Sequence, residues 1–138
     1  MNILGQPTTV KVSGRETDQQ FYVFQSEIPP GLGVPPHTHT REQEILTVLA
    51  GPIEVFFDGQ WSTAHAGDCF YLPTHIPHGY RNAGPTPAQI QFTVSPAESF
   101  ETFFSQLSQF PPITPDTPPD LPRLTTLLEQ HGMTFAEG

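Results

Sequence analysis

The chain has 138 residues and a single cysteine, Cys69, which indicates one domain without an intrachain disulfide. Its 5 Lys and Arg against 14 Asp and Glu give a net charge of −9, which repels phosphate backbones and argues against nucleic-acid binding. No apolar run approaches the ~20 residues of a membrane span, and the N-terminal segment MNILGQPTTV lacks the features of a signal peptide, so we expect a cytoplasmic protein with no membrane partner.

Six short segments between residues 8 and 95 predict β-strands. They are rich in Val, Ile, Phe and Tyr and are separated by Gly, Pro, Asn and Asp. In chain order they are TTVKV, QFYVF, EILTVL, IEVFF, DCFYLP and AQIQFTV. The pair Asp58-Gly59 in FFDGQW predicts a two-residue hairpin turn. Short strands at regular spacing favour a mainly β fold, either a barrel or a sandwich.

The segment EILTVL also indicates which faces of its strand are buried. Leu46 and Val48 face one way, whereas Ile45 and Leu49 face the other. Because both sets are apolar, we expect this strand to be covered on both faces, with another element packed outside the sheet.

The apolar periodicity becomes helical after residue 95. In SPAESFETFFSQLSQF the apolar side chains recur at helical spacing, which predicts a helix that packs on the barrel. These apolar positions are Phe100, Phe103, Phe104 and Leu107. Ser95 as the N-cap, Pro96 in the first turn and Glu98 three residues after the cap form the pattern of a capping box.

A proline-rich connector and a second helix follow. Residues 111–122, PPITPDTPPDLP, hold too many prolines for regular structure and predict an extended tether. The second helix has Asp120 as its cap and ends at Gly132. Its apolar positions are Leu121, Leu124, Leu127 and Leu128. We therefore expect a β-barrel over residues 1–95 and a helical extension over residues 96–138, packed on the same domain.

Residues 35–44, PPHTHTREQE, contain two histidines and two glutamates. His37 and His39 are two residues apart, so on a strand both imidazoles point to one face. Glu44 has the opposite parity and reaches that face only if the polar segment TREQ bends or changes strand. Glu42 is the competing carboxylate, but it lies within the polar segment, whereas Glu44 is joined to an apolar run that holds it in place.

A further histidine for this group lies in GDCFYLPTHIPHGYRN, where Pro73 and Pro77 fix the backbone around His75 and His78. Two histidines and a carboxylate make a divalent metal site of the non-haem iron type, and another histidine adds a ligand. This donor set suits iron, manganese, cobalt, nickel, copper or zinc, but not calcium or magnesium. The HxH pair alone is a weak signal, because chance pairs of this kind are common on polar loops.

The residue spacing over a longer window is more specific. Residues 31–51 fit G-x5-H-x-H-x4-E-x6-G, and residues 67–82 fit G-x5-P-x-(G)-x2-H-x3-N. These patterns resemble the two signature motifs of the cupin superfamily, and the chain is similar to small single-domain cupins of the quercetin-dioxygenase-like group. The matched positions are Gly31, His37, His39, Glu44 and Gly51 in the first motif and Gly67, Pro73, His78 and Asn82 in the second.

The resemblance implies a cupin-type double-stranded β-helix, or jelly-roll barrel, of two antiparallel sheets with C-terminal helices. It implies one divalent transition metal whose ligands are His37, His39, Glu44 and His78. It also implies a homodimer, for which the strand TTVKV can add to a neighbour's sheet edge. His75 departs from the motif, since glycine is usual there; we expect a surface turn residue, the alternative being a supporting role beside the metal ligands.

The two remaining histidines have structural interpretations. His65 precedes a turn and is expected to be exposed. His131 ends the second helix, where a partly charged imidazole suits the helix dipole.

Four protein ligands leave one or two positions open on a metal that prefers five or six, and open positions distinguish catalytic from structural sites. We therefore hypothesise a metal-dependent dioxygenase, resembling quercetinases, that acts on a small aromatic or flavonoid-like substrate. Glu44 would serve as ligand and as base in turn. A metal-dependent isomerase or lyase, and a small-ligand-binding protein without turnover, are the alternatives, because cupins carry all three functions.

Overall fold

The computed structural model describes residues 1–136, so the last two residues of the predicted helical extension lie outside the described range. Within that range the chain forms strands, two α-helices and a short 3₁₀ helix at Gly14–Thr17. The strands are β1 (Asn2–Ile3), β2 (Gln6–Val12), β3 (Tyr22–Ile28), β4 (Gly33–His39), β5 (Gln43–Ala50), β6 (Ile53–Phe57), β7 (Gln60–Ala64), β8 (Cys69–Leu72), β9 (His78–Arg81), β10 (Ala88–Ser95) and β11 (Met133–Phe135). The helices are α1 (Glu98–Leu107) and α2 (Leu121–Gln130).

Two antiparallel sheets face each other across the core. The larger has the strand order β1-β2-β3-β10-β5-β8, and the smaller has the order β11-β4-β9-β6-β7. β10 shows the alternation that builds such a core. Its side chains point in turn to the core and to the outer face, so Ile90 and Val94 are fully buried whereas Gln89 is exposed. The structure confirms the predicted mainly β, jelly-roll barrel with C-terminal helices.

Each of the six predicted segments overlaps a strand, and the predicted hairpin is confirmed. Phe57 pairs with Gln60 across a two-residue turn in which Asp58 has φ 45° and Gly59 has φ 91°. Positive φ at both central positions gives the turn whose twist matches that of the flanking strands. The short terminal strands β1 and β11 were not predicted, because two or three residues carry no readable alternation.

The expectation that β5 is covered on both faces is wrong. Leu46 and Val48 are each 1% exposed, but Ile45 is 45% exposed and Leu49 is 39% exposed. The helices pack across the open end of the barrel, where their apolar side chains line its cavity, rather than on the outer face of β5. One face of this strand is therefore core, and the other is an exposed apolar surface.

The predicted start of α1 is also wrong. The helix begins at Glu98 after Ala97 in the N-cap position, and no side chain caps it. Ser95 is still part of β10, where it pairs with Gln43 of β5, so its backbone cannot also start a helix. The predicted apolar stripe is confirmed, since Phe100 and the three other apolar positions of this helix are buried.

The second helix follows its prediction closely. The Asp120 side chain accepts a hydrogen bond from the Arg123 backbone nitrogen, and Gly132 follows the helix with φ 75°. Leu124, Leu127 and Leu128 are buried, but Leu121 is 55% exposed, contrary to expectation. Neither helix of the described chain is long and apolar enough to cross a membrane.

Candidate metal centre

The four predicted ligands lie on strands from both sheets. His37 and His39 end β4, and His78 begins the neighbouring β9, directly opposite His37. Gly79 permits this pairing, because a Cβ there would lie 2.7 Å from the Val34 carbonyl oxygen of β4. Glu44 comes from β5 of the larger sheet. The centre therefore joins the two sheets at one end of the barrel.

A bend over residues 40–42 brings Glu44 to the face of the histidines. Thr40 donates two hydrogen bonds to the Gly132 carbonyl oxygen, from its backbone nitrogen at 2.8 Å and from Oγ1 at 3.0 Å. The His75 backbone nitrogen donates to the His39 carbonyl oxygen at 2.8 Å. These contacts end β4 and let β5 start in the other sheet, which is the change of strand that the parity of Glu44 required.

The three imidazoles are oriented in the same way, with Nδ1 bonded to a protein acceptor. The acceptors are the Pro35 carbonyl for His37 (2.9 Å), Glu42 Oε1 for His39 (3.0 Å) and the Ile76 carbonyl for His78 (3.3 Å). Each acceptor needs a proton on Nδ1, so each Nε2 carries a lone pair. All three rings are therefore in the tautomer that binds a metal through Nε2.

The free lone pairs converge. One donor atom from each of the four residues lies within 4.8 Å of all the others. Glu44 Oε2 is 3.2 Å from His39 Nε2 and 2.8 Å from His78 Nε2, yet none of these three buried atoms has a hydrogen-bond partner among the described residues. Buried acceptors that face each other repel, and a divalent cation between them satisfies all of them. Three imidazoles and one carboxylate fit a transition metal.

The charges of the site also suit a metal. Burial lowers the pKa of His37 to about 3, with further lowering from His78 and His39, so this ring is neutral at pH 7. Burial opposes ionisation of Glu44, but His39 and His78 outweigh it and lower the pKa to about 2. Burial likewise opposes protonation of His39, but Glu44 and Glu42 outweigh it and raise its pKa.

An apolar cavity of about 140 Å³, partly open to solvent, lies beside the three imidazoles. Its floor is the barrel interior, and its roof is formed by the C-terminal elements. The roof residues include Phe100, Phe103 and Phe104 of α1, Ile113 of the connector, Leu124 and Leu128 of α2, and Phe135 of β11. The Phe100 ring centroid is 6.0 Å from that of His39, so the roof reaches the candidate metal centre. Glu44 is not among the residues that line the cavity, so it lies behind the imidazoles.

Besides the imidazoles, the polar side chains on the cavity wall are those of Gln6, Ser26 and Tyr80. Tyr80 donates a hydrogen bond from its hydroxyl to Gln6 Oε1 at 2.6 Å. Burial and the Glu44 carboxylate raise the pKa of Tyr80, so the phenol keeps its proton. Ser26 Oγ lies 2.9 Å from Thr8 Oγ1 on the neighbouring strand.

The other histidines lie away from the cavity. His65 is exposed as expected. His75 is an exposed turn residue with φ 68°, and it contacts the site through its backbone alone. His131 differs from its prediction: burial and the nearby Arg41 lower its pKa, so a neutral imidazole ends α2. Its nitrogens bond to Ser99 Oγ at 3.1 Å and to Gln106 Oε1 at 2.7 Å.

The sequence analysis did not identify two residues that contribute to the site, Glu42 and Gln6. Glu42, taken as a competing ligand in a polar loop, is 1% exposed and holds His39 through Nδ1. Its separation from His39 by three residues, within a segment expected to bend, was the available signal. Gln6 carried no signal, because its contact with Tyr80 joins residues 74 positions apart.

The comparisons with known proteins match this geometry. Residues 24–95, just over half of the chain, match the family model described as Cupin domain. The chain is 34% identical over 67 residues to quercetin 2,3-dioxygenase of Bacillus subtilis, which covers 49% of this chain and 20% of that protein. It is 40% identical over 67 residues to germin-like protein 5-1 of Oryza sativa subsp. japonica, which covers 45% of this chain and 30% of that protein.

Both matches are partial, since the chain spans less than a third of the length of these curated relatives. Among solved structures, an RmlC-like cupin from Shewanella frigidimarina superimposes with a TM-score of 0.59 at 25% identity. That match covers 68% of this chain and 78% of the other. The C-terminal roof of the cavity, from residue 96 onward, lies outside the matched domain.

Proposed function

The chain belongs to the cupin domain family, as its two motifs predicted, and on this premise we propose that it is a metal-dependent dioxygenase acting on a small aromatic substrate. The observation that carries the proposal is the convergence of three imidazole nitrogens and one carboxylate oxygen beside an apolar cavity. The partial likeness to a quercetin 2,3-dioxygenase supports it. The proposed ligands are His37, His39, Glu44 and His78.

A bound iron, manganese, cobalt, nickel, copper or zinc ion would have one or two open positions here, at which a redox-active metal supplies dioxygen activation. The imidazoles would hold the ion at the cavity wall, where the apolar roof would limit contact between a substrate and water. Glu44 is ionised at neutral pH and can accept a proton at Oε2. Because it lies behind the imidazoles, this role as a base requires its side chain to turn toward the cavity.

The size of the cavity favours the smaller of the expected substrates. An engineered apolar cavity of about 150 Å³ binds benzene, and the cavity here has about 140 Å³. A single ring therefore fits within this volume, whereas a three-ring flavonoid requires more space. The walls are mostly aliphatic and aromatic, which favours an uncharged substrate.

The alternatives use the same centre differently. An isomerase or a lyase moves protons without dioxygen, and a binding protein has no turnover. Acid–base chemistry on a polar substrate needs a proton-transfer group, and in the described chain Tyr80 is the one titratable side chain on the cavity wall apart from the imidazoles. The mostly apolar wall therefore favours the dioxygenase over acid–base chemistry on a polar substrate.

Metal content, measured by mass spectrometry on tag-free protein purified without chelators, tests the proposal first. We expect near-stoichiometric transition metal in the wild type and in His65→Ala, an exposed-histidine control, and its loss in His78→Ala. Oxygen uptake with single-ring phenols should then be observed in the proteins that contain the metal and be absent from His78→Ala. Turnover without oxygen uptake would indicate the isomerase or lyase, and metal without any turnover would indicate a binding protein. Absence of metal after reconstitution would contradict the proposal.

A further inference from the structure

The pair formed by Gln6 and Tyr80 is a polar spot on an otherwise apolar part of the cavity wall. Gln6 is 3% exposed and Tyr80 is 8% exposed, and both line the cavity. The Tyr80 hydroxyl donates to Gln6 Oε1 at 2.6 Å, and Gln6 Nε2 donates to the Gly33 carbonyl oxygen at 3.2 Å. The pair thus connects β2, β9 and β4.

These contacts do not use the full hydrogen-bonding capacity of the pair. An amide nitrogen carries two protons, and a phenol oxygen can accept as well as donate. In the described chain Gln6 Nε2 makes one hydrogen bond and Tyr80 Oη makes one. The surroundings are apolar, since the Tyr80 ring centroid lies 5.7 Å from that of Phe92. A donor and an acceptor therefore remain for a molecule in the cavity, and leaving them unpaired is unfavourable.

The position of the pair relative to the metal centre sets the length of the ligand. Tyr80 follows His78 by two residues on β9, so both side chains point to the barrel interior. Their Cα atoms are about 7 Å apart along the strand. A single substituted ring spans such a separation, with one edge at the imidazoles and its substituent at the pair.

We infer that Gln6 and Tyr80 recognise an oxygen substituent of a single-ring ligand, so that the cavity selects small phenols over hydrocarbons of the same shape. The ligand oxygen accepts from Gln6 Nε2–H and donates to Tyr80 Oη, while the ring lies between Phe92 and the roof. The inference takes from the proposed function only that the ligand is a small aromatic molecule.

The test compares two probes of nearly equal shape, 4-fluorophenol and 4-fluorotoluene, whose dissociation constants are measured by fluorine NMR. The quantity of interest is the ratio of the two constants within each protein, because it cancels general changes in the cavity. In the double variant Gln6→Met/Tyr80→Phe, which removes both polar groups together, we expect the ratio to shift by about tenfold toward the fluorotoluene. Tyr71→Phe, at an exposed tyrosine on the outer sheet face, is the matched control and should leave the ratio unchanged.

An unchanged ratio in the double variant would overturn the inference and leave the pair as a structural link between strands. Failure of both probes to bind the wild type would overturn it as well. The measurement needs neither metal nor turnover, so its outcome is separate from that of the metal and oxygen experiments. A protein that holds metal and consumes oxygen but shows no shift in the ratio would retain the proposed function and lose this inference.

Discussion

Glu42 lies outside the four converging side chains, yet it orients one of them. Its Oε1 accepts the Nδ1 proton of His39 at 3.0 Å, and the pair is buried. This bond fixes the tautomer that leaves His39 Nε2 free toward the centre. The other two imidazoles have backbone carbonyls in this role, so His39 alone depends on a side chain for its orientation.

Removal of the Glu42 side chain should therefore weaken metal binding without removing a ligand. We expect Glu42→Ala to lower the affinity for the metal by roughly 10–100-fold. Glu42→Gln should lose much less, because its amide oxygen can accept the same proton. Affinity is measured by competition with a chelator, with thermal unfolding of each variant as the check on folding. Equal affinities in Glu42→Ala and the wild type would show that His39 needs no such support.

At the scale of single residues, the sequence predicted which side chains converge at the centre but not which contacts orient them. Parity placed His37 and His39 on one face, and the polar segment allowed Glu44 to return to it. The position of Glu42 could not be derived, because it depends on the conformation of a bend whose contacts come from Gly132 and His75.

The C-terminal elements form a cover over the barrel, which is defined here as α1, the connector, α2 and β11. Leu124 and Leu121 of α2 both line the cavity, but Leu124 is 5% exposed whereas Leu121, one turn earlier, is 55% exposed. The cover lies outside the matched cupin domain, so the family match does not account for this part of the cavity.

Truncation of the roof at Leu124 should cost stability and enlarge the cavity. We expect Leu124→Ala to lower the free energy of unfolding by about 2–5 kcal/mol, the range for buried leucines. Leu121→Ala, on the same helix, should change it by less than about 1 kcal/mol because its side chain is mostly in water. Both values come from urea unfolding. Equal losses in the two variants would mean that α2 does not dock as described.

The helices illustrate why one element was predicted correctly and the next was not. Asp120 caps α2 because the residues before it form no regular element that competes for its backbone. Ser95 carries an equally good capping sequence, but its backbone pairs with Gln43 in the sheet. Which residue pairs with Ser95 in the sheet depends on the tertiary structure, so it cannot be predicted from the local sequence.

On the scale of the whole molecule, the outer face of the larger sheet exposes several apolar side chains on β5 and β8. Ile45 and Tyr71 are register partners on β5 and β8, and they are 45% and 59% exposed. Leu49 adds a further exposed apolar side chain to β5. Neighbouring exposed apolar side chains of this kind can mark a protein–protein interface.

We propose that the chain forms a homodimer, and that this face, rather than the β2 edge, is buried in it. Sedimentation at micromolar concentration should give a species of twice 15.2 kDa for the wild type. The double variant Ile45→Lys/Tyr71→Lys should shift this species to the monomer, because two cations cannot be buried without partners. Thr63→Lys, at an exposed position on β7 of the other sheet, serves as the control. A monomeric wild type would contradict the proposal.

Fold class was readable from the sequence because short β-rich runs and two spaced motifs act together. The cavity could not be predicted from the sequence, because its roof is made by residues that are far apart in the chain, such as Phe100 and Leu124. In the sequence these residues indicate only that each helix has an apolar face.

The short strand β11 connects the cover to the candidate metal centre. Its Met133 lies opposite His39 and its Phe135 opposite His37, so the end of the cover is hydrogen-bonded to the strand that holds two of the imidazoles. Docking of the cover and occupation of the centre therefore depend on the same few residues of β4. When two equilibria are linked, each changes the equilibrium constant of the other by an equal factor. The affinity of the centre for a metal and the docking of the cover would thus be coupled variables, and selection on either one would change the other.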